Sequence, residues 1–136
     1  MAIAVVRLGT ARKAGEGLRI GTVRRPPRGV PKSEFAKRDF YDVWLPVLSP
    51  SAELVAIAQR AQHEKDEKGN RDWEAFERRY RSEMNKPEAS RVLDLLAALS
   101  KETNFAVGCY CEDEARCHRS ILRKLLEERG AEMASV

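Results

Sequence analysis

Asn104-Phe105-Ala106-Val107-Gly108-Cys109-Tyr110-Cys111, residues 104–111, is the stretch that decides the fold. At a period of two, Phe105, Val107, Cys109 and Cys111 share one face and Ala106, Gly108 and Tyr110 the other. Both faces are largely apolar, the pattern of a central strand covered on both sides. Glu112-Asp113-Glu114-Ala115-Arg116 then makes a polar turn. After it, Cys117-His118-Arg119-Ser120 opens a Leu-rich helix running to about Glu128, with Gly130 as its stop.

Working outward, residues 3–8 and Leu18 to Val23 read as strands, rich in Ile, Val and Thr. Arg24 to Pro31 holds three prolines and Gly29, so residues 24–38 read as an exposed basic loop. Phe40 to Leu45 is a further short strand candidate ending at Pro46. The middle, residues 49–101, reads as helical. Ser49 would cap a first helix, with Pro50 at its first position, continuing to about Glu64. Asn70 would cap a second, striped by Trp73, Phe76, Tyr80 and Met84, and Pro87 would start a third. The stripe reads as core rather than as a stacking platform. Strands alternating with helices give a single α/β layered domain over residues 1–136.

Composition bounds the class. The chain has 136 residues, 43% hydrophobic and 34% charged, which fits one soluble globular domain. No apolar run approaches the roughly 18–20 residues that span a bilayer, so no membrane partner is expected. Met1 to Val6 is apolar but is interrupted by Arg7 and has no basic segment before it, a poor export signal. The expected location is the cytoplasm, where three cysteines within nine residues should stay reduced.

The net charge of +4 is unevenly spread. Residues 1–40 hold ten Lys or Arg against three acidic residues, giving +7, while the remaining 96 residues hold 15 basic and 18 acidic ones, giving −3. A basic segment suggests an anionic partner, either a small molecule or a nucleic acid. Nucleic-acid binding through Arg12 to Arg38 is the weaker alternative, since only Phe35 and Phe40 are there to stack on bases.

In open α/β sheets, ligands bind beyond the C-terminal ends of strands, where helix N-termini aim unpaired N–H groups. Cys111 stands at such a strand end and Cys117 to Ser120 at such a helix start. This motivates a pocket for a small anionic, phosphate- or nucleotide-like ligand. Arg7, Arg28, Arg119 and Ser120 would bind it, and Cys111, Cys117 and His118 would be the catalytic candidates, a thiol nucleophile with an imidazole acid or base. Packing is the competing use of each cysteine. With Asp113 as cap, Cys117 falls on the helix face of Ile121 and Leu125, and Cys109 shares its strand face with Phe105 and Val107.

Metal binding is a third use, because Cys109, Cys111, Cys117 and His118 offer four nitrogen or sulfur ligands. Yet no Cys-x2-Cys pair is present, and neighbours on one helix point about 100° apart. The expectation is therefore no metal. No cofactor is expected either, since Gly-rich phosphate loops and Gly-x-Ser-x-Gly elbows are missing. The Cys-x5-Arg phosphatase loop also fails: Asp113 lies six residues before Arg119, and Tyr110 six before Arg116.

Cys109-x-Cys111 followed by Cys117-His118-Arg119 resembles the YeaO-like bacterial family called domain of unknown function 488. Arg7-Leu8-Gly9, Gly17-Leu18-Arg19-Ile20, Arg28-Gly29-Val30, Trp44 to Ser51 and Trp73-x2-Phe76-x3-Tyr80 extend the resemblance over most of the chain. It implies a small Rossmann-like α/β domain with a partly parallel sheet flanked by helices, and no established activity. The family commonly has Arg-Leu-Trp-Pro-Arg-Gly at the early turn, where this chain reads Val23-Arg24-Arg25-Pro26-Pro27-Arg28-Gly29.

Overall fold

The computed structural model describes residues 2–63 and 66–135. Four strands, β1 (Ile3–Arg7), β2 (Leu18–Gly21), β3 (Val43–Trp44) and β4 (Phe105–Cys109), form one sheet in the order β1-β4-β2-β3. All its pairings are parallel, so the sheet is wholly rather than partly parallel. Four helices complete the layers: α1 (Ala52–His63), α2 (Glu67–Met84), α3 (Pro87–Leu99) and α4 (His118–Glu128). No helix of the described residues is long and apolar enough to cross a membrane.

β4 is the central strand that its two apolar faces predict, and all five of its residues are buried. Phe105 and Val107 pack with Ile3 and Ile20 against Phe76, Tyr80, Leu93, Ile121 and Leu122 of the helices. The aromatic stripe of α2 is thus core. On the other face the sheet is covered by chain rather than helix. Gly108 lies so close to Val6 and Leu8, and Gly21 to the Tyr41 ring, that a Cβ at either would overlap them. Arg19, paired in register with Ala106, is fully buried there. Its guanidinium is held by Glu16 and by the Thr10 and Asp39 carbonyls, which ties down the segment linking β1 to β2.

Several element boundaries differ from the sequence expectation. The strand expected from Phe40 to Leu45 shrinks to Val43–Trp44, because Asp39 adopts a positive φ of 62° and the chain is still turning at Phe40. Ser49 closes a short 3-10 turn, Pro46–Leu48, instead of capping α1; Ser51, whose hydroxyl accepts from the Leu54 amide, takes that place. Asp66 rather than Asn70 caps α2, accepting from the Gly69 amide. The end expected for α1 near Glu64 lies outside the described residues. Pro87 starts α3, and Gly130, at φ 81°, terminates α4 as expected.

The polar turn after β4 contains a 3-10 turn, Glu114–Arg116, which Asp113 caps through the Ala115 amide. Asp113 therefore does not cap α4, and Cys117 is not on a face of that helix. Cys117 is its N-cap, with extended φ −122° and ψ 152°.

Candidate functional site

The C-terminal ends of β4 and β2 and the N-terminus of α4 meet at one place. Because Cys117 is extended and His118 is the first helical residue, their side chains are not separated by the helical angle. Cys117 Sγ lies 3.7 Å from His118 Nδ1. The donor atoms of Cys109, Cys117 and His118 all fall within 4.8 Å of one another, and all three residues are buried. Cys111 Sγ, one residue beyond Tyr110 and more exposed, is 3.7 Å from Cys109 Sγ.

His118 has a defined tautomer. Its Nε2 is 2.8 Å from the Thr22 carbonyl, which can only accept, so Nε2 carries the hydrogen and Nδ1 presents its lone pair to Cys117. Burial pushes the His118 pKa down to about 4, leaving the ring neutral near pH 7. The Tyr80 ring meets it edge-on at 5.6 Å. The Thr22 hydroxyl donates to the Gly108 carbonyl and fixes the end of β2 to β4.

The sulfurs share their protons unevenly. Hydrogen bonding from Cys109 and Cys111 holds Cys117 down, to about 3, against the upward pull of burial; the Arg119 amide and guanidinium add to the lowering. Cys109 is pushed up by the same contacts with Cys111 and Cys117, and by burial. One anionic sulfur at the helix start, with neutral thiols beside it, is what the helix dipole favours there.

Above this cluster opens a cavity of about 620 Å³. Cys109, Cys111, Cys117 and His118 line it together with Arg24, Arg25 and Arg28 of the basic loop; Phe40, Val55, Ala58, Phe76 and Tyr110 add apolar wall. The loop is tethered here: the Tyr110 hydroxyl donates to the Arg25 carbonyl and the Trp44 indole to the Val23 carbonyl.

Of the expected ligand-binding residues, only Arg28 lines this cavity. Arg7 is exposed, donates to the Tyr110 carbonyl and pairs with Glu112. Arg119 is buried, donates to the Cys111 carbonyl and faces a second, smaller cavity of about 390 Å³; its Nε has no hydrogen-bond partner. The Ser120 hydroxyl donates back to the Cys117 carbonyl inside the helix turn. The catalytic candidates Cys111, Cys117 and His118 do come together. Sequence reasoning assigned Cys109 to packing and overlooked Arg24, Arg25, Tyr110 and Thr22. Arg24 and Arg25 carried a signal in the proline-rich basic run. Thr22, 96 residues from His118, carried none.

Two other members of the basic segment are engaged elsewhere. Arg12 forks onto both oxygens of Asp42, at 2.7 and 3.1 Å, and Arg19 is buried against Glu16.

Residues 3–130 match the model of a family described as DUF488-N3a, the active DUF488-N3 subclade. Neither curated proteins nor solved structures yield a match to the chain.

Proposed function

The chain belongs to the DUF488-N3a family, whose model spans residues 3–130, and on that premise we propose that it binds a small anionic molecule of nucleotide-like chemistry in the cavity beside the Cys/His cluster. One observation carries the reading: a single cavity is lined both by three arginines of the basic loop and by Cys111, Cys117 and His118. Its volume of about 620 Å³ suits a small-molecule site, for which roughly 300–1,000 Å³ is usual.

The division of the walls supports the chemical class. Guanidinium groups on the basic loop match the oxygens of a phosphate, to which they donate in pairs. Phe40, Tyr110 and Val55 provide the apolar surface on which a flat base can rest. The cysteines and His118 are the groups through which chemistry on the bound molecule would run.

Calorimetry with a nucleoside monophosphate tests this. The wild-type chain should bind with measurable heat, and Arg28→Ala should weaken binding roughly ten- to hundredfold, the loss expected for a charge-assisted hydrogen bond of about 1.5–3 kcal/mol. Absence of binding at millimolar concentration would refute the proposal, as would equal affinity in an Arg25→Ala/Arg28→Ala double variant. Binding confined to short RNA or DNA and collapsing with salt would instead favour a nucleic-acid partner.

A further inference from the structure

We infer that Cys109, Cys117 and His118 form a binding site for a soft divalent metal, zinc by preference, with its fourth position open to the cavity. The inference goes beyond the anion-binding proposal and does not depend on it, because it rests on the donor set alone.

Spacing is the first support. Tetrahedral zinc, with bonds of about 2.3 Å to sulfur and about 2.0 Å to nitrogen, places its donors roughly 3.5–3.8 Å apart. Cys117 Sγ and His118 Nδ1 are 3.7 Å apart, and one ligand atom from each of Cys109, Cys117 and His118 lies within 4.8 Å of the others. A small rotation of one thiol closes this set on a central ion.

Orientation is the second. A histidine that binds a metal through one nitrogen commonly donates its other N–H to a carbonyl or carboxylate, which fixes the ring. His118 does this through Nε2 to the Thr22 carbonyl, so Nδ1 directs its lone pair at the sulfur of Cys117. In the metal-free chain any proton on the Cys117 sulfur donates to this nitrogen, and a metal ion would take the place of that proton between the two donors. Thiolate and imidazole together select zinc among the common divalent ions.

The third support is the direction left open. Cys109, Cys117 and His118 all line the cavity, so the remaining tetrahedral position faces that space. Three protein ligands with one open position is the pattern of catalytic rather than structural zinc. Cys111 lies past the strand end; its sulfur touches Cys109 at 3.7 Å but is not among the donors that all lie within 4.8 Å of one another. On loading, any proton still carried by either ligand sulfur passes to solvent, and the two thiolates neutralise the ion.

The purified full-length chain, reduced and stripped with a chelator, should be titrated with cobalt(II). One equivalent per chain should give the intense visible ligand-field bands of tetrahedral, thiolate-bound cobalt, and zinc should bleach them stoichiometrically. Bound zinc should also protect Cys109 and Cys117 from alkylation, read by mass spectrometry, while Cys111 continues to react. Cys111→Ser should keep the cobalt spectrum, and Cys117→Ser and His118→Asn should lose it. A folded wild-type chain that shows no tetrahedral cobalt bands and no zinc protection would overturn the site. So would bands that persist in Cys117→Ser. Loss of the bands in Cys111→Ser would overturn the open fourth position. Because the wild-type titration needs no substitution, a variant that fails to fold does not spare the inference, and calorimetry with the nucleoside monophosphate reports on the anion site separately.

Discussion

Arg19 is the largest of the side chains buried completely among the described residues. A cation in that position is tolerable only because each nitrogen of its guanidinium finds an acceptor: both Glu16 oxygens and the carbonyls of Thr10 and Asp39. The sequence shows the Glu16-to-Arg19 spacing but nothing of the two carbonyls, so Arg19 counted with the basic segment that suggests an anionic partner. Arg19→Ala should lower stability by about 3–5 kcal/mol, since it leaves the Glu16 carboxylate buried and unpaired. Urea denaturation checks this; a loss under about 1 kcal/mol would mean water reaches that carboxylate. Gly21 makes a second prediction at this scale. A Cβ there would stand 2.4 Å from the Tyr41 ring. Gly21→Ala should therefore cost about 1–3 kcal/mol through overpacking, measurable in the same denaturation series.

At the scale of elements, residues 104–111 were the most legible part of the chain, because an apolar run on both faces has few homes other than the middle of a parallel sheet. Pro87 and Gly130 marked helix ends for reasons of backbone chemistry that tertiary contacts did not override. The expected start of α4 at Cys117, after the polar turn, agrees with the structure, and only the competing reading with Asp113 as its cap does not. Asp113 looks like a helix cap and is a cap, but of the 3-10 turn at Glu114–Arg116. That shift of a few residues places Cys117 outside the helix, and it is what allows neighbouring Cys117 and His118 to face the same point. The expectation against a metal had two grounds, the helical separation of Cys117 and His118 and the missing Cys-x2-Cys pair, and this placement removes the first. Elsewhere, the turn before β3 depends on Asp42. Burial pushes its carboxyl up, but hydrogen bonds from the Arg12 side chain and the Arg19 amide outweigh this and hold it below its ordinary 3.8. A carboxyl depressed on folding contributes stability above its unfolded value, which is lost as pH falls through the folded one. Acidification from pH 5 should therefore destabilise the wild type more steeply than Asp42→Asn. Parallel slopes in denaturation at a series of pH values would show that the pair contributes nothing.

At the scale of the molecule, the strand order β1-β4-β2-β3 sets the site. It brings the end of β2, near residue 22, beside the end of β4, near residue 109, and the basic loop that follows β2 arches over both. Periodicity reveals each of these segments but not their adjacency, since the contacts between Thr22 and His118 and between Arg25 and Tyr110 span 96 and 85 residues. The nine-residue span of cysteines pointed to side chains that do come together, whereas Arg119 and Ser120 were drawn to them by nearness in sequence and Arg7 by the basic segment, and none of these three lines the cavity. The most direct test of this convergence is anomalous diffraction at the zinc edge from crystals grown with zinc and a nucleoside monophosphate. A single peak bonded to Cys109, Cys117 and His118 is predicted, with the phosphate in the same cavity against the arginines of residues 24–28. Zinc bound elsewhere on the chain, with that cavity holding only water, would contradict it.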